Sequence, residues 1–135
     1  MPIPVGEEQD AQPLFDHAII LPAVNTPVST GKIVVMVEYR VPETQAVAFR
    51  QAAQALGRQR MRDGARRWGL MQNLEDRELW IERFEAANWT EHLRRMLRPT
   101  TADKAVRDHV ASFSTLPVAP RSYVQHAPNA SSPET

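Results

Sequence analysis

Nine residues, Ile33-Val34-Val35-Met36-Val37-Glu38-Tyr39-Arg40-Val41, run up to Pro42. β-Branched side chains fit a pleated strand, and proline cannot continue its ladder. The run is continuous rather than alternating, which is the pattern of a strand buried on both faces. Any fold for this chain must therefore cover both sides of that strand.

The segments around it are punctuated by proline and glycine. Prolines at 2, 4, 13, 22 and 27 break every candidate element in residues 1–31, which read as an extended arm. Within that arm Ala18-Ile19-Ile20-Leu21 is a short apolar patch suited to packing on the domain surface. Residues 32–127 carry the ordered domain, and the polar residues 128–135 read as a disordered tail. Glu43 to Arg62 is a predicted helix, because Ala46, Phe49, Ala53 and Leu56 form one apolar stripe and Asp63-Gly64 stops it. Arg66 to Leu74 is a second strand, with Trp68, Leu70 and Gln72 on one face and Gly69, Met71 and Asn73 on the other. Glu75-Asp76-Arg77 turns the chain into a third strand, Leu79 to Ala86. Asn88-Trp89-Thr90-Glu91 reads as a capping box that opens a short helix. Thr100 to Asp103 opens another in the same way, with a predicted stripe of Ala102, Ala105, Val106, His109, Val110 and Phe113. After Pro117 and Pro120, Arg121 to His126 form a last strand.

The order β-α-β-β-α-(α)-β is the split βαβ arrangement of an α+β, ferredoxin-like βαββαβ domain with an extra helix. Its sheet carries helices on one face only. A first strand that is apolar on both faces needs a second cover, and another copy of the same sheet is the simplest one. The expectation is a homodimer, a dimeric α+β barrel.

Composition excludes several functions. With 16 basic and 16 acidic residues the net charge is zero, whereas a dedicated nucleic-acid binder needs a basic surplus. There is no cysteine, hence no disulfide, thiolate metal site or cysteine nucleophile. The N-terminal residues lack the basic start and apolar stretch of a signal peptide. The apolar run from Ala18 to Val24 contains Pro22 and is too short to span a bilayer. A cytoplasmic location is expected. No metal or cofactor is expected either: the four histidines lack ligand spacing, and no Gly-rich phosphate loop, nucleophile elbow or paired-carboxylate signature is present.

Three groups of residues invite a functional reading. Arg58, Arg60, Arg62, Arg66 and Arg67 are concentrated within ten residues, either as a solvated helix end or as an anion patch. Trp68 and Trp80, together with Tyr39 and Phe84, either pack the core or line an aromatic ligand pocket. His92, one turn into a helix, stands beside Asn88 and Trp89 and is either a buried structural histidine, a general base, or a ligand to a metal or haem. Packing and capping explain the last group without catalysis.

Several motifs together resemble a known family. They are Val37-Glu38-Tyr39-Arg40, Arg62-Asp63-Gly64-Ala65-Arg66-Arg67-Trp68-Gly69-Leu70, Asn88-Trp89-Thr90-Glu91-His92-Leu93-Arg94 and Thr100 to Asp103. The chain resembles the C-terminal cytosolic domain of bacterial major facilitator superfamily exporters, the transmembrane secretion effector group. That domain is similar to the dimeric α+β barrels of the antibiotic biosynthesis monooxygenase superfamily. The resemblance implies dimerisation through sheet faces and a link to an exporter, with tethering at the inner face of the plasma membrane. The sequence carries no membrane part, so a freestanding relative or an excised domain is expected. Asn88 stands where the family is expected to have serine, and Met96-Leu97-Arg98-Pro99 replaces a more polar stretch.

The functional expectation is a non-catalytic dimerisation or ligand-binding domain associated with an exporter, with a small aromatic molecule as its possible ligand. The alternative is a cofactor-independent monooxygenase acting on an aromatic substrate through His92, Asn88 and Trp89.

Overall fold

A computed structural model describes residues 31–97 and 100–126. The expected arm, its apolar patch and the expected tail lie outside the described residues. Strand β1 spans Lys32–Arg40 and is followed by a 3-10 turn, Glu43–Gln45, and helix α1, Ala46–Arg62. Strands β2, Arg66–Gln72, and β3, Leu79–Ala86, come next. Helices α2, Trp89–Met96, and α3, Thr101–Ala111, precede strand β4, Arg121–Gln125. The sheet order is β2-β3-β1-β4, antiparallel throughout. β3 lies between β1 and β2, as the split βαβ arrangement requires.

Local chemistry fixes the joints. α1 ends in a Schellman motif: Ala65 N donates to Arg60 O (2.9 Å), Gly64 N donates to Met61 O (3.1 Å), and Gly64 takes a φ of 106°. The β2–β3 turn is held by Asn73 Oδ1, which accepts from the backbone N of Glu75 (2.7 Å) and Asp76 (2.8 Å). Arg40 braces it from β1 with its Nη2 2.7 Å from Asp76 Oδ2. The capping box at Thr100 is complete, with Asp103 N donating to Thr100 Oγ1 and Thr100 N to Asp103 Oδ2, both at 3.0 Å. The one expected at Asn88 is half-formed. Asn88 Oδ1 accepts from Glu91 N at 2.8 Å, but the Glu91 carboxylate turns outward to Arg94 Nη1 at 3.2 Å.

The helices cover one face of the sheet. Ile33, Val35, Val37 and Tyr39 of β1 and Trp80, Phe84 and Ala86 of β3 point into that layer, where Phe49, Ala53 and Leu56 of α1 and Val110 of α3 meet them. Phe49 is the hub, its ring 5.2 Å from Tyr39, 5.4 Å from Trp80 and 6.0 Å from Phe113. The stripe expected on α1 is the buried one. The stripe expected on α3 is rotated: Ala102, Ala105 and His109 are exposed, while Asp103, Val106, Arg107 and Val110 are partly or fully buried. The Gln59 side chain of α1 meets Asp103 on the inward side, and the alanines are left outside.

β1 also departs from a uniformly apolar strand. Its outward row is Val34, Met36, Glu38 and Arg40, apolar only in its first half. Val34 is buried, Met36 and Arg40 are partly covered, and Glu38 is exposed.

Candidate functional site

Between sheet and helices lies a polar core built around one carboxylate. Glu82 sits on β3 between Trp80 and Phe84, so the strand's alternation aims it inward, and it is 1% exposed. Its Oε1 accepts from Tyr39 Oη at 2.9 Å, and its Oε2 from Trp68 Nε1 at 2.8 Å. Arg60, from the last turn of α1, closes the set, with its Nε 2.5 Å from Oε2 and its Cζ 4.4 Å from the centre of the Phe84 ring. Burial, then the Glu82 charge, pushes the Tyr39 phenol far above its ordinary pKa, so it stays a donor.

Trp68 reaches this carboxylate because of two backbone features. A bulge between Arg66 and Gly69, with Arg67 at φ 53°, re-aims the strand. Gly57 of α1 then leaves room for the indole, since a Cβ there would lie 2.5 Å from Trp68 Cδ2.

His92 and Trp89 occupy a neighbouring position on α2. Both are buried, His92 to 4% exposure, with ring centres 5.5 Å apart. His92 Nε2 lies 3.4 Å from Ser122 Oγ on β4, and Nδ1 has no partner among the described residues. Burial, then the charges of Arg95 and Arg60, lowers its pKa to about 4. It is therefore a neutral imidazole near neutral pH. Asn88 does not join it as a reactive pair, because its side-chain oxygen caps the helix.

The four candidate pocket residues face the same layer. Tyr39 and Trp68 share Glu82, Trp80 stacks on Phe49, and Phe84 lies under Arg60. The arginine group does not hold together as one patch. Arg60 turns inside to Glu82, while Arg58, Arg62, Arg66 and Arg67 remain exposed. Among the described residues no group of three or more histidine, cysteine or acidic side chains is placed to hold a metal.

Sequence reasoning missed Glu82, Arg95 and Arg107. The signal for Glu82 was available: a carboxylate flanked at period two by inward aromatic residues cannot avoid the core. The arginines gave no such signal, because a lone arginine on an amphipathic helix ordinarily snorkels to solvent.

Among the described residues no helix covers the other face of the sheet. Val34 and Met36 of β1, Ile81 of β3, Met71 of β2 and Tyr123 of β4 alternate there with charged residues. Glu85 is satisfied on this face: burial raises its pKa, but Arg83 at 2.9 Å and then Lys32 and Arg67 outweigh that and hold it below the usual range. Met36, Glu38, Ile81, Ala119, Arg121 and Tyr123 line a shallow hollow. Among the described residues Glu38 and Arg121 have no ion-pair partner.

Comparison with known families matches residues 1–131 to one described as Transmembrane secretion effector. The chain belongs to that family. No curated protein matches its sequence. Solved structures similar to this transmembrane secretion effector chain include a candidate antibiotic biosynthesis monooxygenase from Nitrosomonas europaea, at 20% identity and a TM-score of 0.61, covering 75% of this chain and 96% of that one. Another, from Caulobacter crescentus, shares 13% identity with a TM-score of 0.63, covering 74% and 94%. A variant of SnoaB, a cofactor-independent oxygenase from Streptomyces nogalater, shares 12% identity with a TM-score of 0.58, covering 74% and 96%. At these identities the likeness establishes the fold alone, a ferredoxin-like α+β domain. Among the described residues of this family member, no helix is long and apolar enough to cross a membrane.

Proposed function

We propose that this chain is a non-catalytic assembly domain that pairs with a second copy through its open sheet face and serves an exporter of the transmembrane secretion effector family on the cytoplasmic side. The observation that carries the reading is the composition of that face. It places an apolar set of Val34, Met36, Met71, Ile81 and Tyr123 beside one acid and one base that have no ion-pair partner among the described residues. A two-fold interface must be self-complementary, and a patch bearing both signs meets that condition. Two-fold packing would set Glu38 of one copy against Arg121 of the other, twice. The inner layer supports the same reading, because the polar side chains around Glu82 are paired with one another.

Light scattering at micromolar concentration tests this. The expected mass is twice 15.3 kDa, and Ile81→Glu is expected to give a folded monomer. A wild-type monomer with a cooperative unfolding transition would remove the proposal.

One observation favours the alternative of a cofactor-independent monooxygenase: a buried neutral His92 beside Trp89, with an Nδ1 that has no partner among the described residues. Oxygen uptake with an anthrone or hydroquinone panel, abolished in a folded His92→Ala variant, would replace the assembly reading with the enzymatic one.

A further inference from the structure

Arginines left outside when Arg60 turns inward gather at one corner with the end of α2. Arg58 and Arg62 lie one turn apart on the exposed side of α1, and Arg66 is exposed at the start of β2. Arg95 clasps α2 to the end of α1. Its Nε donates to Asp63 O at 3.0 Å, and its Nη2 lies 3.3 Å from where a Cβ on Gly64 would stand. The charges acting on it are those of Glu91, Asp63, Arg60 and Arg66, so the two helix ends and the start of β2 meet there. Neighbouring arginines have partners: Arg60 pairs with Glu82, Arg67 with Glu85 and Arg94 with Glu91. Among the described residues Arg58, Arg62 and Arg66 have no ion-pair partner.

The same corner exposes apolar side chains. Met61, between Arg58 and Arg62 in α1, is 49% exposed, and Leu97, two residues after Arg95, is 43% exposed. Attraction of cations to a helix C-terminus explains Arg62 and Arg95. It explains neither Arg58, a turn further back, nor two apolar side chains left in water beside the charges. The chain as a whole is neutral, so the surplus is local. At the far end of β2 the turn into β3 carries Glu75, Asp76 and Glu78. Charge separated in this way turns one end of a neutral domain toward an anionic surface. Duplex nucleic acid would engage the arginines and leave Met61 and Leu97 idle. A headgroup layer takes both, since guanidinium forks match its phosphates and apolar side chains enter its acyl boundary.

We propose that the corner formed by Arg58, Met61, Arg62, Arg66, Arg95 and Leu97 docks on a membrane surface rich in anionic phospholipid. The arginines take lipid phosphates, and Met61 and Leu97 sink into the headgroup layer. α1 and α2 lie on the helix-covered side of the sheet, so the inference uses a different surface from the face proposed for pairing and does not depend on the assembly reading.

The test floats the full chain with vesicles of equal parts phosphatidylglycerol and phosphatidylcholine, and with vesicles of phosphatidylcholine alone. Binding to the anionic vesicles is expected to be at least roughly tenfold tighter than to the neutral ones, and to weaken with added salt. The double variant Arg58→Gln with Arg62→Gln is expected to weaken it at least roughly tenfold, and Met61→Ser with Leu97→Ser by roughly as much. Arg50→Gln with Arg77→Gln removes equal charge elsewhere and is expected to keep wild-type binding. All these residues are exposed, so unfolding midpoints are expected to stay near that of the wild type. If the α1 pair unfolds early, Arg66→Gln, outside the helix, takes its place with an expected loss of roughly fivefold. No binding to anionic vesicles, equal binding to neutral ones, unchanged binding in the variants of the corner arginines, or an equal loss in the control pair overturns the proposal. Unchanged binding in Met61→Ser with Leu97→Ser overturns it as well, because the apolar contact is then absent. Displacement by excess soluble glycerol phosphate, or equally tight binding to duplex DNA, overturns the lipid assignment.

Discussion

His92 and Glu82 show how the same burial produces opposite outcomes for two polar side chains. Glu82 is surrounded by donors and organises Tyr39, Arg60 and Trp68 around its carboxylate. His92 meets cations instead: Arg95 and Arg60 add to its desolvation, and the neutral ring is the stable form. That difference has a consequence for acid stability. In the unfolded chain the imidazole has its ordinary pKa of 6.5, and in the folded chain about 4. Above pH 6.5 both states are neutral and stability is flat from this source. As pH falls below 6.5 the unfolded chain takes up a proton that the folded chain refuses, so stability is lost down to about pH 4 and levels off below. The full loss is about 3 kcal/mol. His92→Gln is expected to flatten the denaturation midpoint between pH 6.5 and 4. The depressed carboxyls add losses that set in at their ordinary values, 4.5 for Glu85, at the lower edge of that window, and 3.8 for Asp76, below it. A slope in the variant equal to that of the wild type would place the acid sensitivity elsewhere.

Elements came through the sequence wherever backbone chemistry marks their ends. Pro42 closes β1, Asp63-Gly64 closes α1, and Thr100 with Asp103 opens α3, so strand and helix bounds follow from those residues alone. The first helix stripe was equally legible, because apolar residues on one face have one place to go. The α3 face was not. Asp103 and Arg107 take its inward positions; Asp103 is met there by Gln59 of α1, and no spacing rule within the helix reveals either placement. The candidate site follows the same division: Tyr39, Trp68, Trp80 and Phe84 were legible as aromatic residues on inward faces, while the charges between them were not. Gly57 belongs to this scale too, since it sets how closely α1 approaches β2. Alanine there would gain helix propensity of about 1 kcal/mol. Its Cβ would sit 2.5 Å from the Trp68 ring, however, and overpacking costs about 1–3 kcal/mol. Gly57→Ala is therefore expected to swing the indole off Glu82, lowering the denaturation midpoint and red-shifting tryptophan emission. An unshifted spectrum at equal or higher stability would show that the helix–strand distance is soft.

At the scale of the whole molecule the two sheet faces have different tasks. The inner face is committed to a single core, in which ring stacking around Phe49 and ion pairing at Glu82 leave few apolar atoms uncovered. The outer face is a mixture of apolar side chains and charge, too apolar in its centre to be indifferent to water and too charged to be a core by itself. In the proposed dimer, pairing two such faces would bury the apolar centre and would give the Glu38 and Arg121 charges of each copy the opposite charges of its partner. Electrostatic pairing of this kind fixes register more than it adds affinity. The expectation is therefore a charge-swap pattern. Glu38→Arg sets two arginines against each other at both symmetric contacts, and Arg121→Glu does the same with two acids, so each single variant is expected to dissociate at higher concentration than the wild type. The double variant Glu38→Arg with Arg121→Glu restores opposite signs and is expected to recover most of the association. Sedimentation velocity over a concentration series reads all four proteins. Single variants that associate like the wild type would remove Glu38 and Arg121 from the interface. Failure of the double variant to recover would mean that the two residues do not face each other across the two-fold axis.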